Sequence, residues 1–295
     1  MPRTVVHAVH ASNSSRGMNT AAEPVAAPER PEDKESLGSF AWFVFKLALA
    51  VFLFRSFLFS FYSIPSESML PRLWNGDYFV AAKWPYGYTR WSLPFSLPLI
   101  PGRVLASDPE RGDVVVFKHP VDHVDYIKRV IGLPGDTVAV SAGQVILNGV
   151  PVKRERVADF VIPIAPNTTC AWGGRSVTTA DGAACDYARF RETLPSTGTG
   201  RGKSYDTLDF GATPQDDYGP VIVPRGRVFV MGDNRDNSQD SRFPATAGGG
   251  VGMVPAELLV ARASVMVWST DGSAEWIKPW TWLSAARWDR IGAGI

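Results

Sequence analysis

The residues equipped for chemistry fall in three short runs. The first is Ile64-Pro65-Ser66-Glu67-Ser68-Met69-Leu70-Pro71, with two serines two positions apart between prolines. Pro65 and Pro71 hold this run out of a helix. If the backbone is extended, Ser66 and Ser68 project to the same side, so one hydroxyl can attack while the other donates a hydrogen bond. A serine nucleophile needs a base. Of the four histidines, His7 and His10 lie near the N-terminus, while His119 and His123 flank Pro120 beside Asp122 and Asp125. That pair leaves a Ser-His-Asp triad or a metal site open. Pro120, however, breaks any helix that would align the two rings, and an exposed loop is the expectation.

Lysine is the other base, and it works only as the neutral amine. Lys128 lies in the second run, Tyr126-Ile127-Lys128-Arg129-Val130-Ile131, on one strand face with Tyr126 and Val130. Apolar neighbours there disfavour the ammonium, although the pattern alone also suits a solvated strand lysine. The third run, Met231 to Arg242, is dense in Asp, Asn, Ser and Arg. Asp233, Asp236 and Asp240 raise the possibility of a calcium loop. The EF-hand spacing is missing and Arg242 opposes a cation. A network that positions catalytic groups accounts better for the mixed charges.

These runs need a scaffold. The chain has 295 residues, 45% hydrophobic and 20% charged, with a net charge of +1. Such neutrality speaks against nucleic-acid binding, which requires a basic surface. The 27 Gly and 23 Pro favour many turns over a helical bundle. Residues 1–39 carry no apolar period and are expected to be a disordered tail. Phe40 to Phe61 holds half of the 16 phenylalanines. As a helix it would extend roughly 33 Å, one bilayer core. Lys46 and Arg55 project from nearly opposite sides of that helix, and each can snorkel to its nearer interface. The expectation is a transmembrane anchor over residues 40–62. Basic residues on its two sides hardly differ in number, so charge alone leaves its orientation open.

Beyond Tyr62 short β-rich runs take over: Asp77 to Ala81, Asp113 to Phe117, Tyr126 to Ile131, Thr137 to Val140 and Gln144 to Leu147. Asn148-Gly149 is a hairpin signal with Val150 to Lys153 as the return strand. Further strands are expected at Val157 to Ile164, Val221 to Val223, Arg227 to Met231 and Ala261 to Trp268. No helical patterns alternate with them, so the fold class is mainly β, an antiparallel sheet domain over residues 63–295 behind one transmembrane helix. A loop-rich insertion is expected at about 150–220, carrying both cysteines, Cys170 and Cys185. Asn167-Thr168-Thr169 matches a glycosylation triplet of the kind that also arises by chance. Pro279 to Arg290 fits a short helix. Trp276, Trp280, Trp282 and Trp288, interleaved with Lys278, Arg287 and Arg290, suit a headgroup zone. Together with an apolar rim at Met69 and Leu70 they are expected to dock on lipid.

Together the runs resemble bacterial type I signal peptidases, membrane-bound Ser-Lys proteases. The likeness is carried by Pro65 to Pro71, Arg111-Gly112-Asp113-Val114-Val115-Val116-Phe117, Tyr126 to Asp136 and Gly232 to Arg242, in the family's order. Glu67 stands where Gly is frequent, the cysteine-bearing insertion matches no family pattern, and one span precedes the nucleophile where many relatives have two. The resemblance implies Ser68 as nucleophile and Lys128 as general base. It implies Ser66 with the Ser68 N–H as oxyanion hole, Ser238 bonded to the lysine amine, and Asp240 with Arg242 as a supporting ion pair. Tyr62, Ile64, Met69, Leu73, Tyr126 and Ile127 would line pockets for the small residues of a signal peptide. It implies no metal and no cofactor. The partners would be signal-peptide-bearing precursors and the lipid bilayer, with no nucleic acid. The location would be the bacterial inner membrane, single-pass, with the catalytic domain on the periplasmic face. In that compartment a Cys170–Cys185 disulfide is permitted.

Overall fold

A computed structural model describes residues 37–197, 201–275 and 277–295. The expected tail over residues 1–39 lies almost wholly outside these. Among the described residues, 37–44 fall in a first unit and Phe45–Ile295 form a second, compact one. Helix α1 (Leu37–Leu53) begins in the first and buries none of its side chains. It runs into a π-helical turn, Phe54–Leu58. Leu37–Leu58 is long and apolar enough to cross a membrane.

The helix ends before the expected limit of Tyr62. Phe59–Ser63 is instead strand β1, paired antiparallel with β2 (Asp77–Ala82) from Phe59↔Ala82 to Ser63↔Tyr78. Aromatic residues serve a strand as readily as an apolar helix, and the backbone bonds offered by β2 decide between them. The main sheet continues with β3 (Val114–Lys118), β4 (Asp125–Gly132), β5 (Arg227–Met231), β6 (Val254–Pro255) and β7 (Leu259–Ser269). Its spatial order is β1-β2-β7-β3-β4-β5-β6, antiparallel throughout. Val114 and Val116 pack into one core and Val115 and Phe117 into another. Both faces of β3 are therefore covered, which explains its unbroken apolar run.

The Asn148-Gly149 turn forms as expected, but its return strand is only Val150–Pro151. Lys153–Arg156 leaves to join a different sheet. The insertion is richer in strands than its composition promised. One three-stranded sheet joins Arg175–Thr179, Gly182–Tyr187 and Phe160–Pro163, and another joins Lys203–Leu208, Arg189–Leu194 and Lys153–Arg156. Its outward strand positions are Thr, Ser, Asp and Arg, so polar composition there marks a solvated sheet face. Cys170 and Cys185 form a disulfide inside the small core of Leu70, Phe160, Ile162 and Tyr187. Asn167 is consumed internally: its Nδ2 donates to the carbonyls of Asn75 at 3.1 Å and Thr270 at 2.7 Å, so the triplet presents no free acceptor amide. Near the C-terminus a short helix, α2 (Trp280–Ala285), follows Pro279.

Candidate active site

Strand β1 delivers the first serine run directly. After Ser63 the hairpin closes through Ile64 N–H to Asp77 O at 2.8 Å, and the chain turns at Ser66 to Leu70. Met69 and Leu73 anchor that turn in the core with Ile64 and Phe79. Strand β4 delivers Lys128, whose Nζ donates to Ser68 Oγ at 2.7 Å in a buried setting. Ser66 is exposed, with its hydroxyl 3.5 Å from that of Ser68.

Burial pushes the Lys128 amine down to about 8, against the smaller opposing pull of Asp240 and Asp233. Each of those carboxylates is itself held by an arginine. Asp233 receives both Nε and Nη2 of Arg129, at 2.7 and 2.6 Å. Asp240 is paired with Arg242 at 3.0 Å, both fully buried. The two ion pairs divert negative charge that would otherwise favour an ammonium. A second lysine, Lys83, is also pushed down to about 8, by burial and then by Arg55. Its Nζ donates to the Ser92 carbonyl, which cannot be deprotonated, so depression alone does not make a base.

Loop Gly232 to Arg242 closes over the turn. Gly232 has no room for a side chain: a Cβ would stand 2.3 Å from Ser238 Oγ and 2.5 Å from Ser68 O. Ser238 sits beside the site, but its buried hydroxyl forms no hydrogen bond among the described residues, so the expected bond to the lysine amine is absent. The Lys128 amine is turned to Ser68 instead. Asp233, Asp236 and Asp240 serve separate partners: Arg129, the Phe210 N–H and Arg242.

A cleft of about 390 Å³ opens beside the dyad, lined by Tyr62, Ile64, Ser66, Ser68, Tyr126, Ile127 and Lys128, with Phe79 and Val116 at its floor. Tyr62 stacks on Phe79 with ring centroids 5.6 Å apart, which narrows it. Met69 and Leu73, expected in the lining, are 0% exposed and support the floor from the core. Among the described residues, neither His119 nor His123 bonds to Ser68 or Lys128. His119, expected in an exposed loop, is fully buried. Its Nε2 meets Gly250 O at 3.1 Å and its Nδ1 receives the Val121 N–H at 3.2 Å. His123 stacks against Trp91.

Residue types alone did not single out Arg235, Glu192 and Asn234. Arg235 and Glu192 form a buried pair joining the insertion to the loop, with Tyr205 Oη donating to the same carboxylate at 2.9 Å. The only sequence signal was the polar density of the loop itself.

A serine hydroxyl against a buried, depressed amine beside an apolar cleft is the apparatus of a serine hydrolase. The profile of the family described as signal peptidase, peptidase S26, matches residues 37–268. A signal peptidase I from Rickettsia felis is 33% identical over 280 residues, covering 88% of this chain and 91% of that protein. The signal peptidase I of Rickettsia prowazekii is likewise 33% identical, covering 88% and 92%. A solved signal peptidase I from Enterococcus faecalis is similar at 22% identity with a TM-score of 0.27, covering 53% of this chain and 97% of that one. This chain belongs to the signal peptidase family, peptidase S26. It is a hydrolase, a serine endopeptidase.

Proposed function

We propose that this endopeptidase removes N-terminal signal peptides from precursor proteins through a Ser68–Lys128 dyad and an acyl-enzyme. Neutral Lys128 takes the Ser68 proton as Oγ attacks the scissile carbonyl. The oxyanion is received by the Ser68 N–H and the Ser66 hydroxyl. Lys128 returns the proton to the leaving amine, and the mature protein departs. Lys128 then activates a water that splits the Ser68 ester and frees the signal peptide. The narrow cleft at Tyr62, Ile64 and Ile127 suits the small residues of an A-x-A cleavage pattern. Leu37–Leu58 anchors the enzyme in the inner membrane, with the catalytic domain on the periplasmic face, where the Cys170–Cys185 disulfide is stable.

The observation that carries this proposal is the 2.7 Å contact between Lys128 Nζ and Ser68 Oγ in a buried site. The test is cleavage of a signal-peptide-bearing precursor by the full chain in detergent. Ser68→Ala and Lys128→Ala are each expected to abolish product while leaving the circular dichroism unchanged. Near-normal turnover by either folded variant refutes the dyad.

A further inference from the structure

The Glu67–Ser68 peptide carries a carbonyl on one side and an N–H on the other. In a planar trans peptide these point in opposite directions, so fixing one aims the other. The Ser68 N–H has no acceptor among the described residues. The Glu67 carbonyl, by contrast, is held twice: by the Leu70 N–H at 3.1 Å and by Asn234 Nδ2 at 3.1 Å. Asn234 also reaches the far side of the nucleophile, its own N–H donating to Ser68 O at 3.1 Å.

Asn234 is itself rigidly placed. It is 0% exposed, and Leu208 brackets it, donating to Asp233 O at 2.9 Å and accepting from the Arg235 N–H at 3.0 Å. Its Oδ1 meets no donor among the described residues. A buried unpaired acceptor costs stability, so packing alone does not account for an amide here. Among the described residues, its one side-chain hydrogen bond goes to the nucleophile turn.

We infer that Asn234 is a positioning residue for the oxyanion hole, holding the Glu67–Ser68 peptide plane so that the Ser68 N–H faces the developing oxyanion beside the Ser66 hydroxyl. This rests on the Ser68–Lys128 mechanism proposed above. A donor bonded through its own peptide carbonyl is also polarised, which strengthens the bond it gives. Catalysis gains because the amide needs no reorientation as charge develops.

The test measures full-chain Asn234→Ala and Asn234→Asp on a signal-peptide-bearing precursor. Aspartate keeps the shape and replaces the donor with an acceptor, so it serves if the alanine variant is unfolded. Removing an oxyanion donor outright costs roughly 10²–10³-fold, and a misaimed one is expected to lower kcat by roughly 10- to 100-fold. KM should stay within about twofold and the acid limb of the pH profile should not move, since Lys128 is untouched. A substrate-like peptide aldehyde, whose hemiacetal with Ser68 carries the oxyanion, should lose affinity by the same factor as kcat. A folded variant with near-normal kcat, a loss confined to KM, or unchanged aldehyde affinity overturns the inference. Ser68→Ala and Lys128→Ala run alongside: turnover by either sinks the dyad itself, whereas their inactivity beside a normal Asn234 variant sinks only the role of Asn234.

Discussion

Ser66 and Ser68 are two residues apart yet their environments differ sharply. Ser68 is buried against Lys128, whereas Ser66 is exposed with its hydroxyl 3.5 Å from that of Ser68. Ser66→Ala should therefore leave the unfolding midpoint unchanged, as a surface truncation does. It should still slow kcat by roughly 10²–10³-fold through loss of one oxyanion donor, with residual activity from the Ser68 N–H. Single-turnover kinetics read this directly, and an unchanged rate removes Ser66 from the oxyanion hole. The pairing of Ser68 with Lys128 was legible only through the likeness of their two runs to signal peptidases, because a serine in a turn and a lysine in a strand are by themselves ordinary. Met69 and Leu73 were misassigned because whether a side chain near the nucleophile lines a cleft or supports it from the core depends on packing. Ser238 was misassigned for a similar reason: proximity to the site followed from its run, but the direction of its hydroxyl did not.

At the scale of elements, period and turn chemistry located Gln144–Leu147 and Arg227–Met231 to the residue. The limits of α1 and the strand content of the insertion were not legible, since both depend on pairing partners distant in sequence. Glu192 and Arg235 illustrate this, meeting across a separation of 43 residues. The insertion is bolted to the catalytic loop by that pair and held internally by Cys170–Cys185, a link spanning 15 residues. Closing a loop of that length is worth about 3 kcal/mol. A Cys170→Ala/Cys185→Ala variant is expected to lose about that much stability to urea, while its turnover at 25 °C stays within a few-fold of the parent, because neither cysteine lines the cleft at the dyad. An unchanged urea midpoint would show that the link contributes nothing to the fold.

For the whole molecule, the expected lipid-facing surface moves. Met69 and Leu70 are buried and cannot form a rim, and Trp276 lies outside the described residues. Trp280 and Trp288 are exposed, as docking requires. A second exposed apolar surface lies in the segment after β2, where Phe95 is 97%, Leu99 70% and Leu105 76% exposed. That segment is tied to the end of the anchor: Trp84 packs edge-on against Phe59, and Tyr88 Oη donates to the Phe57 carbonyl at 2.9 Å. Both contacts bring the segment to the C-terminal end of the apolar Leu37–Leu58 helix. Neither free thiol nor third cysteine complicates labelling. An environment-sensitive dye on Leu105→Cys in the full chain, reconstituted in vesicles, should emit further to the blue than the same dye on Ile222→Cys, also exposed. Equal emission at both positions removes this surface from the membrane.

The account turns on Lys128 acting as a neutral amine, and the pH dependence of kcat/KM tests that most directly. Burial depresses its proton affinity to about 8. Below that value the ammonium cannot accept the Ser68 proton, so kcat/KM should rise tenfold per pH unit on the acid side and level off above about 8. An acid limb near 6.5, the range of an ordinary histidine, or a flat profile from pH 6 to 9 would contradict the Ser68–Lys128 mechanism.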